Sequence, residues 1–374
     1  ADYLGVDPTR RSLTGTGGYV KVGRKGNAKW NFSETFTWSS PGFDLNDMGY
    51  MKETDYLMNE TEIMYRQTDI WKIFRYNAFT LSQKNMWNYG GTPFSNNASL
   101  RWQSMTMNRY EWDVKETFAW NWLDSRLLRG GPDVRFGSYF LTSAKFNTDK
   151  AKRMMFMLKY EGDHNFEGNR FNTISPSLTF RLGNHVYLSG QLDYAWNTDE
   201  MQYVATTSPL SSSSLAPYYY VMGHMDQKTY GLTLKLQVNV TPDISIQFYG
   251  APFTSIAKYD DFKLAADTKS HTFENRFQRI DPDQLTYADG VYTIGEGAGQ
   301  MPFRNPDFRF NEFRSNLVAR WEYLPGSTLY FVWEHRMSNR DNWYSSGWGS
   351  NLDRMWGLPA TNTFMIKMNY WFNL

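Results

Sequence analysis

Cysteine is absent from the 374 residues, which excludes disulfides and thiolate metal sites. Neither sign of charge dominates, with 39 Lys and Arg against 38 Asp and Glu. The strong basic excess that marks a nucleic-acid partner is therefore missing. No apolar run approaches the ~18 residues of a membrane-spanning helix, and the mean hydropathy is −0.61. Histidine is scarce: His164, His185, His224, His271 and His335 are all there are, and no two stand at the i, i+2 or i, i+4 spacing of a metal pair. No G-x-S-x-G elbow and no P-loop occurs. Gly295-Glu296-Gly297-Ala298-Gly299 is glycine-rich, but it lacks a strand–turn–helix setting and is expected to be an outer loop. No catalytic residue, metal site or cofactor is expected.

Aromatic residues, by contrast, are abundant, at 18% of the chain with 15 Trp, 25 Tyr and 26 Phe. They fall into a pattern of period two. At the C-terminus Phe364, Ile366, Met368, Tyr370, Phe372 and Leu374 alternate with Met365, Lys367, Asn369, Trp371 and Asn373. Leu232, Leu234, Leu236, Val238 and Val240 alternate with Thr233, Lys235, Gln237 and Asn239. Further stripes run through Val186 to Trp196, Met154 to Tyr160, Phe313 to Tyr323 and Tyr110 to Trp122. A period of two is a β-strand with one apolar and one polar face. A strand that ends on aromatics suits a transmembrane barrel, whose outer face meets lipid and whose inner face meets water.

Turn residues such as Gly26-Asn27, Thr68-Asp69, Gly183-Asn184, Pro242-Asp243 and Pro325-Gly326 mark short connectors. Between them lie longer stretches: 39–52, 88–96, 123–132, 162–169, 198–228, 259–307 and 339–360. Alternating short and long connectors are the rule for an up-and-down barrel in the bacterial outer membrane. The pattern predicts an all-β, antiparallel transmembrane barrel with about 15 strands, the stretch 198–228 being a loop. An odd number with an outside start leads to the expectation that residues 1–374 are the C-terminal portion of a barrel of about 16 strands or more.

Several phrases carry a resemblance: Ser40-Pro41-Gly42-Phe43-Asp44-Leu45-Asn46-Asp47-Met48-Gly49-Tyr50, Arg129-Gly130-Gly131-Pro132, the run Phe313 to Ser327, and the ending Phe364-Met365-Ile366-Lys367-Met368-Asn369-Tyr370-Trp371-Phe372. Together they resemble the DUF5916 family of Bacteroidota, from about residue 18 to the C-terminus. The resemblance implies an outer-membrane barrel preceded by a domain similar to carbohydrate-binding module family 9, which this chain does not include. It implies no catalytic activity, and the final Leu374 departs from the aromatic on which many barrels end.

Candidate functional residues follow from the phase. Lys29, Lys115, Arg153, Lys159, Arg181, Lys235, Arg314, Arg320 and Lys367 fall on polar faces and are expected to point into the lumen, against Glu111, Asp113, Asp193 and Glu322. Charged side chains belong in water, because an Arg or Lys facing lipid costs roughly 2–4 kcal/mol at the midplane. Glu34 and Glu116 fall in the apolar phase, which suggests a rim or a partner contact. Asp44-Leu45-Asn46-Asp47-Met48-Gly49 has the look of a calcium loop, but Met48 stands where a ligand belongs, and turn capping is the expected role. Trp343, Tyr344, Trp348 and Trp356, beside amides and carboxylates, form a candidate surface loop for glycans. The leading expectation is a non-catalytic channel or a scaffold within an envelope complex. Outer-membrane lipid, other envelope proteins and glycans are the expected partners. A cell-surface carbohydrate-binding or uptake protein and an outer-membrane hydrolase are the alternatives, and 259–307 is long enough to plug a lumen.

Overall fold

The computed structural model describes residues 9–372 except 48, 52, 121, 211–216 and 343–347. They form an all-β structure. In chain order the strands are β1 (Gly17–Arg24), β2 (Trp30–Ser39), β3 (Tyr56–Gln67), β4 (Phe74–Trp87), β5 (Pro93–Thr106), β6 (Glu111–Trp120), β7 (Trp122–Asp124), β8 (Val134–Phe136), β9 (Tyr139–Asn147), β10 (Met154–Asn165) and β11 (Arg170–Leu182). They continue with β12 (Val186–Thr207), β13 (Tyr219–Asn239), β14 (Ile244–Ala265), β15 (Phe277–Arg279), β16 (Leu285–Ala288), β17 (Val291–Ile294), β18 (Met301–Arg304), β19 (Phe308–Leu324), β20 (Ser327–Asp341) and β21 (Ala360–Asn369). One helix, α1 (Trp348–Trp356), lies between β20 and β21.

The chain divides into two compact units, residues 1–144, 163–167 and 265–278 in the first and 145–162, 168–264 and 279–374 in the second. In the first the sheet runs β1-β2-β3-β4-β5-β6-β9. In the second it runs β10-β11-β12-β13-β14-β19-β20-β21. Seven strands and eight match the expected fifteen.

Within each unit, register lines up like with like. In the first, Phe32, Ile63, Leu81 and Leu100 form a row across β2 to β5, and Leu81 and Leu100 are 55% and 56% exposed. One residue along, Ser33, Glu62, Ser82, Ser99 and Thr117 form a row on the other face. In the second, Leu188, Leu236, Phe248, Leu317, Trp333 and Phe364 make an apolar row across six strands. Its neighbour, Ser189, Lys235, Tyr249, Asn316, Glu334 and Thr363, is polar. Cross-strand partners share a face, so period two along each chain becomes two chemically distinct surfaces.

Three connectors differ from expectation. Stretch 198–228 is mostly strand: β12 continues to Thr207 and β13 begins at Tyr219, because Tyr203-Val204-Ala205-Thr206-Thr207 and Tyr218-Tyr219-Tyr220-Val221 are β-branched and aromatic. At 88–96 the chain turns within 88–92, where Asn88 N–H donates to Thr92 O at 3.0 Å and Gly91 takes φ +81°. Stretch 162–169 shrinks likewise, since β10 ends at Asn165 and β11 starts at Arg170. The connectors expected to be long are thus not uniformly so. The stretch 259–307 is itself folded. β14 extends to Ala265, and β16, β17 and β18 make a three-stranded sheet. Ile294 and Phe303 of that sheet pack with Val221, Phe262 and Leu264 on the extended strand ends.

Candidate functional site

The polar face carries the charges expected of it, with two exceptions. Lys29 lies in the β1–β2 turn, 3.1 Å from Asp69, and the hydrogen bond and charge of Asp69 raise its pKa. Arg153 precedes β10, and its carbonyl accepts from Arg181 N–H at 2.7 Å. The other seven lie on strands. Lys115 is opposite Arg101, whose Nε donates to Asp113 at 2.7 Å. Lys159 is 2.7 Å from Glu161. Arg181 donates to the Lys150 carbonyl at 3.2 Å. Arg314 and Arg336 both reach Glu312, at 2.8 and 2.9 Å. Arg320 pairs with Glu322 and shares the partner Tyr330 with Lys367 in the register. Lys235 stands between Ser189 and Tyr249.

Sequence reading missed acids on the same face. Glu60 and Glu62 of β3 are opposite Thr35 and Ser33, Glu312 and Glu334 lie among the arginines, and Glu161 partners Lys159. Period two in β3 carries the signal: Leu57, Ile63 and Tyr65 fix the apolar phase, and Glu60 and Glu62 fall in the other. Bases missed in the same way offset them: Lys21 and Lys84 share the row of Glu60, Arg101 stands opposite Lys115 and Arg336 opposite Arg314, so the face keeps its basic excess.

The two carboxylates in the apolar phase are each satisfied by a neighbour. Thr61 donates its hydroxyl to Glu34 at 2.6 Å, and Thr142 donates to Glu116 at 2.7 Å. Close to Glu34 in the register, Asn59, Asn85 and Asn96 share a row. Asn85 donates to Asn96 at 2.9 Å, and Gln83 to Asn85 at 3.0 Å.

Of the candidate aromatic loop, Trp343 and Tyr344 lie outside the described residues, and Trp348 begins α1. Trp356 packs edge-on against Phe313 with centroids 4.9 Å apart. That contact, with Asn351 and Met355 buried, makes α1 a cover on β19 and β20. The 44–49 loop caps itself: Asp44 accepts from Asn46 N–H at 2.9 Å and from its amide at 2.8 Å. Gly297–Gly299 is a 3-10 turn between β17 and β18.

Two features had no counterpart in the sequence reading. In the first unit Arg276 is 1% exposed and donates to both oxygens of Glu167, at 2.7 and 2.9 Å. It also donates to the carbonyls of Arg135, at 2.7 Å, and Ser270, at 2.8 Å. In the second, His224 lies 3.1 Å from Glu200 and 3.6 Å from Asp226. Burial opposes its charged form, but the hydrogen bond to Glu200 and the charges of Glu200, Asp226 and Asp260 prevail and raise its pKa. A family model described as Domain of unknown function (DUF5916) matches residues 6–374, so the match reaches further towards the N-terminus than the quoted phrases. No curated protein and no solved structure matches the chain.

Proposed function

We propose, for a chain that belongs to the DUF5916 family, that this sheet is the wall of an outer-membrane β-barrel that lets polar solutes through without chemistry. The observation that carries the reading is the contrast between adjacent rows. The row through Leu236, Phe248 and Trp333 is apolar, and the row through Lys235, Asn316 and Glu334 is polar. The apolar face is left uncovered on strands paired on both sides: Leu81, Leu100 and Leu192 are 55%, 56% and 51% exposed. In water such a surface would drive association. In a bilayer it is the solvated face, and the charged face needs a wet interior.

Within that reading, the part of the 259–307 stretch that folds as β16, β17 and β18 is seated on the strand ends through Ile294 and Phe303. Fractionation, reconstitution and labelling test the proposal. The protein is expected in the outer-membrane fraction, requiring detergent for extraction. The chain has no cysteine, so single cysteines at Gly326 and Ser350 give clean topology reporters. Labelling of intact cells is expected at Ser350 and not at Gly326. Extraction by salt alone, or the reverse labelling, refutes the reading.

A further inference from the structure

The polar face of the second unit carries two adjoining hollows. One, of about 450 Å³, is lined by residues that include Asp193, Gly231, Phe253, Glu312 and Arg314. The other, of about 360 Å³, includes Tyr187, Lys235 and Asn316, and Tyr249 borders both. Register accounts for the larger. Gly231 stands between Asp193 and Phe253 in one row, where a Cβ would touch Asp193 at 3.7 Å and Phe253 at 3.9 Å. Glycine keeps that floor open.

The lining is rich in aromatic rings. Tyr187, Tyr249 and Phe253 stand among its polar groups, and Phe310 continues them, 6.1 Å from Phe253 between centroids. The charges neutralise one another. Glu312 accepts from Arg336 at 3.1 Å and lies 2.8 Å from Arg314. Asp193 is held by Ser175 at 2.6 Å and Gln191 at 2.9 Å, so it is fixed in place as an acceptor. The amide oxygen of Asn316 has no hydrogen-bond partner. A balanced field disfavours an ionic ligand. Aromatic rings beside a few fixed polar groups suit a ligand with apolar faces and polar edges.

We infer that this wall binds a neutral, hydroxyl-rich ligand of the oligosaccharide class. Pyranose faces stack on Tyr249 and Phe253, and hydroxyls donate to Asp193 and Glu312 and accept from Arg314. The inference rests on the polar face being the interior of a membrane channel. It names what that interior is shaped to hold.

The test uses the full chain in nanodiscs, titrated calorimetrically with maltohexaose, cellohexaose and hexaglutamate. At least one of the two sugars is expected to bind, and hexaglutamate is not. Tyr249→Ala and Phe253→Ala are each expected to weaken sugar binding by about tenfold, the size of a lost aromatic contact. Leu317→Ala, on the opposite face, is expected to leave it unchanged. Asp193→Asn keeps the shape of the site and is expected to weaken binding without loss of fold, which near-ultraviolet dichroism checks. Binding of neither sugar by inserted, folded protein overturns the proposal, as does sugar binding that survives both ring deletions. Failure to insert into nanodiscs counts instead against the membrane reading, because insertion is scored separately before any sugar is added.

Discussion

Arg276 carries its charge inside the first unit with every direction of its guanidinium met, by Glu167 and by the carbonyls of Arg135, Ser270 and His271. A buried pair of this kind is costly to break from one side, at about 3–5 kcal/mol, because the partner is left charged and alone. Arg276→Met is expected to destabilise the first unit by that amount in guanidinium unfolding. Arg276→Met with Glu167→Leu is expected to recover part of the loss; additive losses would show that the pair is not coupled. His224 gives a pH-dependent counterpart. Its pKa is raised above 6.5 in the fold, so the stabilisation it supplies is full below the unfolded value and is lost as pH rises through the folded one. Amide exchange in the outer part of the β12–β13 hairpin, after division by the intrinsic exchange rate at each pH, is therefore expected to lose protection as pH rises above about 6.5. His224→Gln is expected to flatten that change, and a wild-type profile without it would remove His224 from the account. Neither residue announced itself in the sequence. Arg276 meets Glu167 across 109 positions, and a lone histidine shows nothing of the carboxylates that register brings beside it.

At the scale of the strand the sequence was most readable, because period two is local. Leu232, Leu234 and Leu236 fix the phase of β13 without reference to anything else. Leu234→Arg is accordingly expected to cost roughly 2–4 kcal/mol in bilayer refolding if the residue lies near the midplane, and Lys235→Ala far less. Equal losses would refute the assignment of faces. Strand ends were less readable. Nothing local separates the far end of a long strand from a loop that begins there, so Tyr203 to Thr207 read as connector although they close the 22-residue β12. Charge was partly readable. Arg314 could be assigned a face from its own strand, but its companion Arg336 comes from β20, and their shared Glu312 emerges only from the pairing of β19 with β20. The aromatic residues of the candidate binding wall were hidden by the same limit. Tyr187, Tyr249 and Phe253 sit in polar phases of two strands, and only the register makes them neighbours.

For the whole molecule, the acids and bases that the register adds leave the expected ion selectivity in place. The basic set read from the sequence predicts anion preference, and Glu60, Glu62, Glu161, Glu312 and Glu334 are offset by Lys21, Arg66, Lys84, Arg101 and Arg336 on the same face. Reversal potentials across a planar bilayer are expected to show weak anion preference at about 0.1 M salt, fading towards 1 M as the screening length falls from about 10 Å to about 3 Å. Arg314→Glu with Arg320→Glu is expected to turn the preference to cations. Strong cation preference in the unmodified protein would contradict the assignment of the inner face, and a lack of conductance would favour a closed scaffold. The tall hairpin of β12 and β13 has a practical consequence. Its outer ends, Thr207 and Tyr219, are reached by a ladder that shifts register between Asp199 and Gln202 and again between Tyr203 and Ala205, and Val221 and Leu264 pack with Ile294 and Phe303 beside that tip. On the proposed orientation, a peptide spliced between those ends would stand on a paired and packed hairpin on the outer side, which makes this tip a place to display an epitope on a living cell.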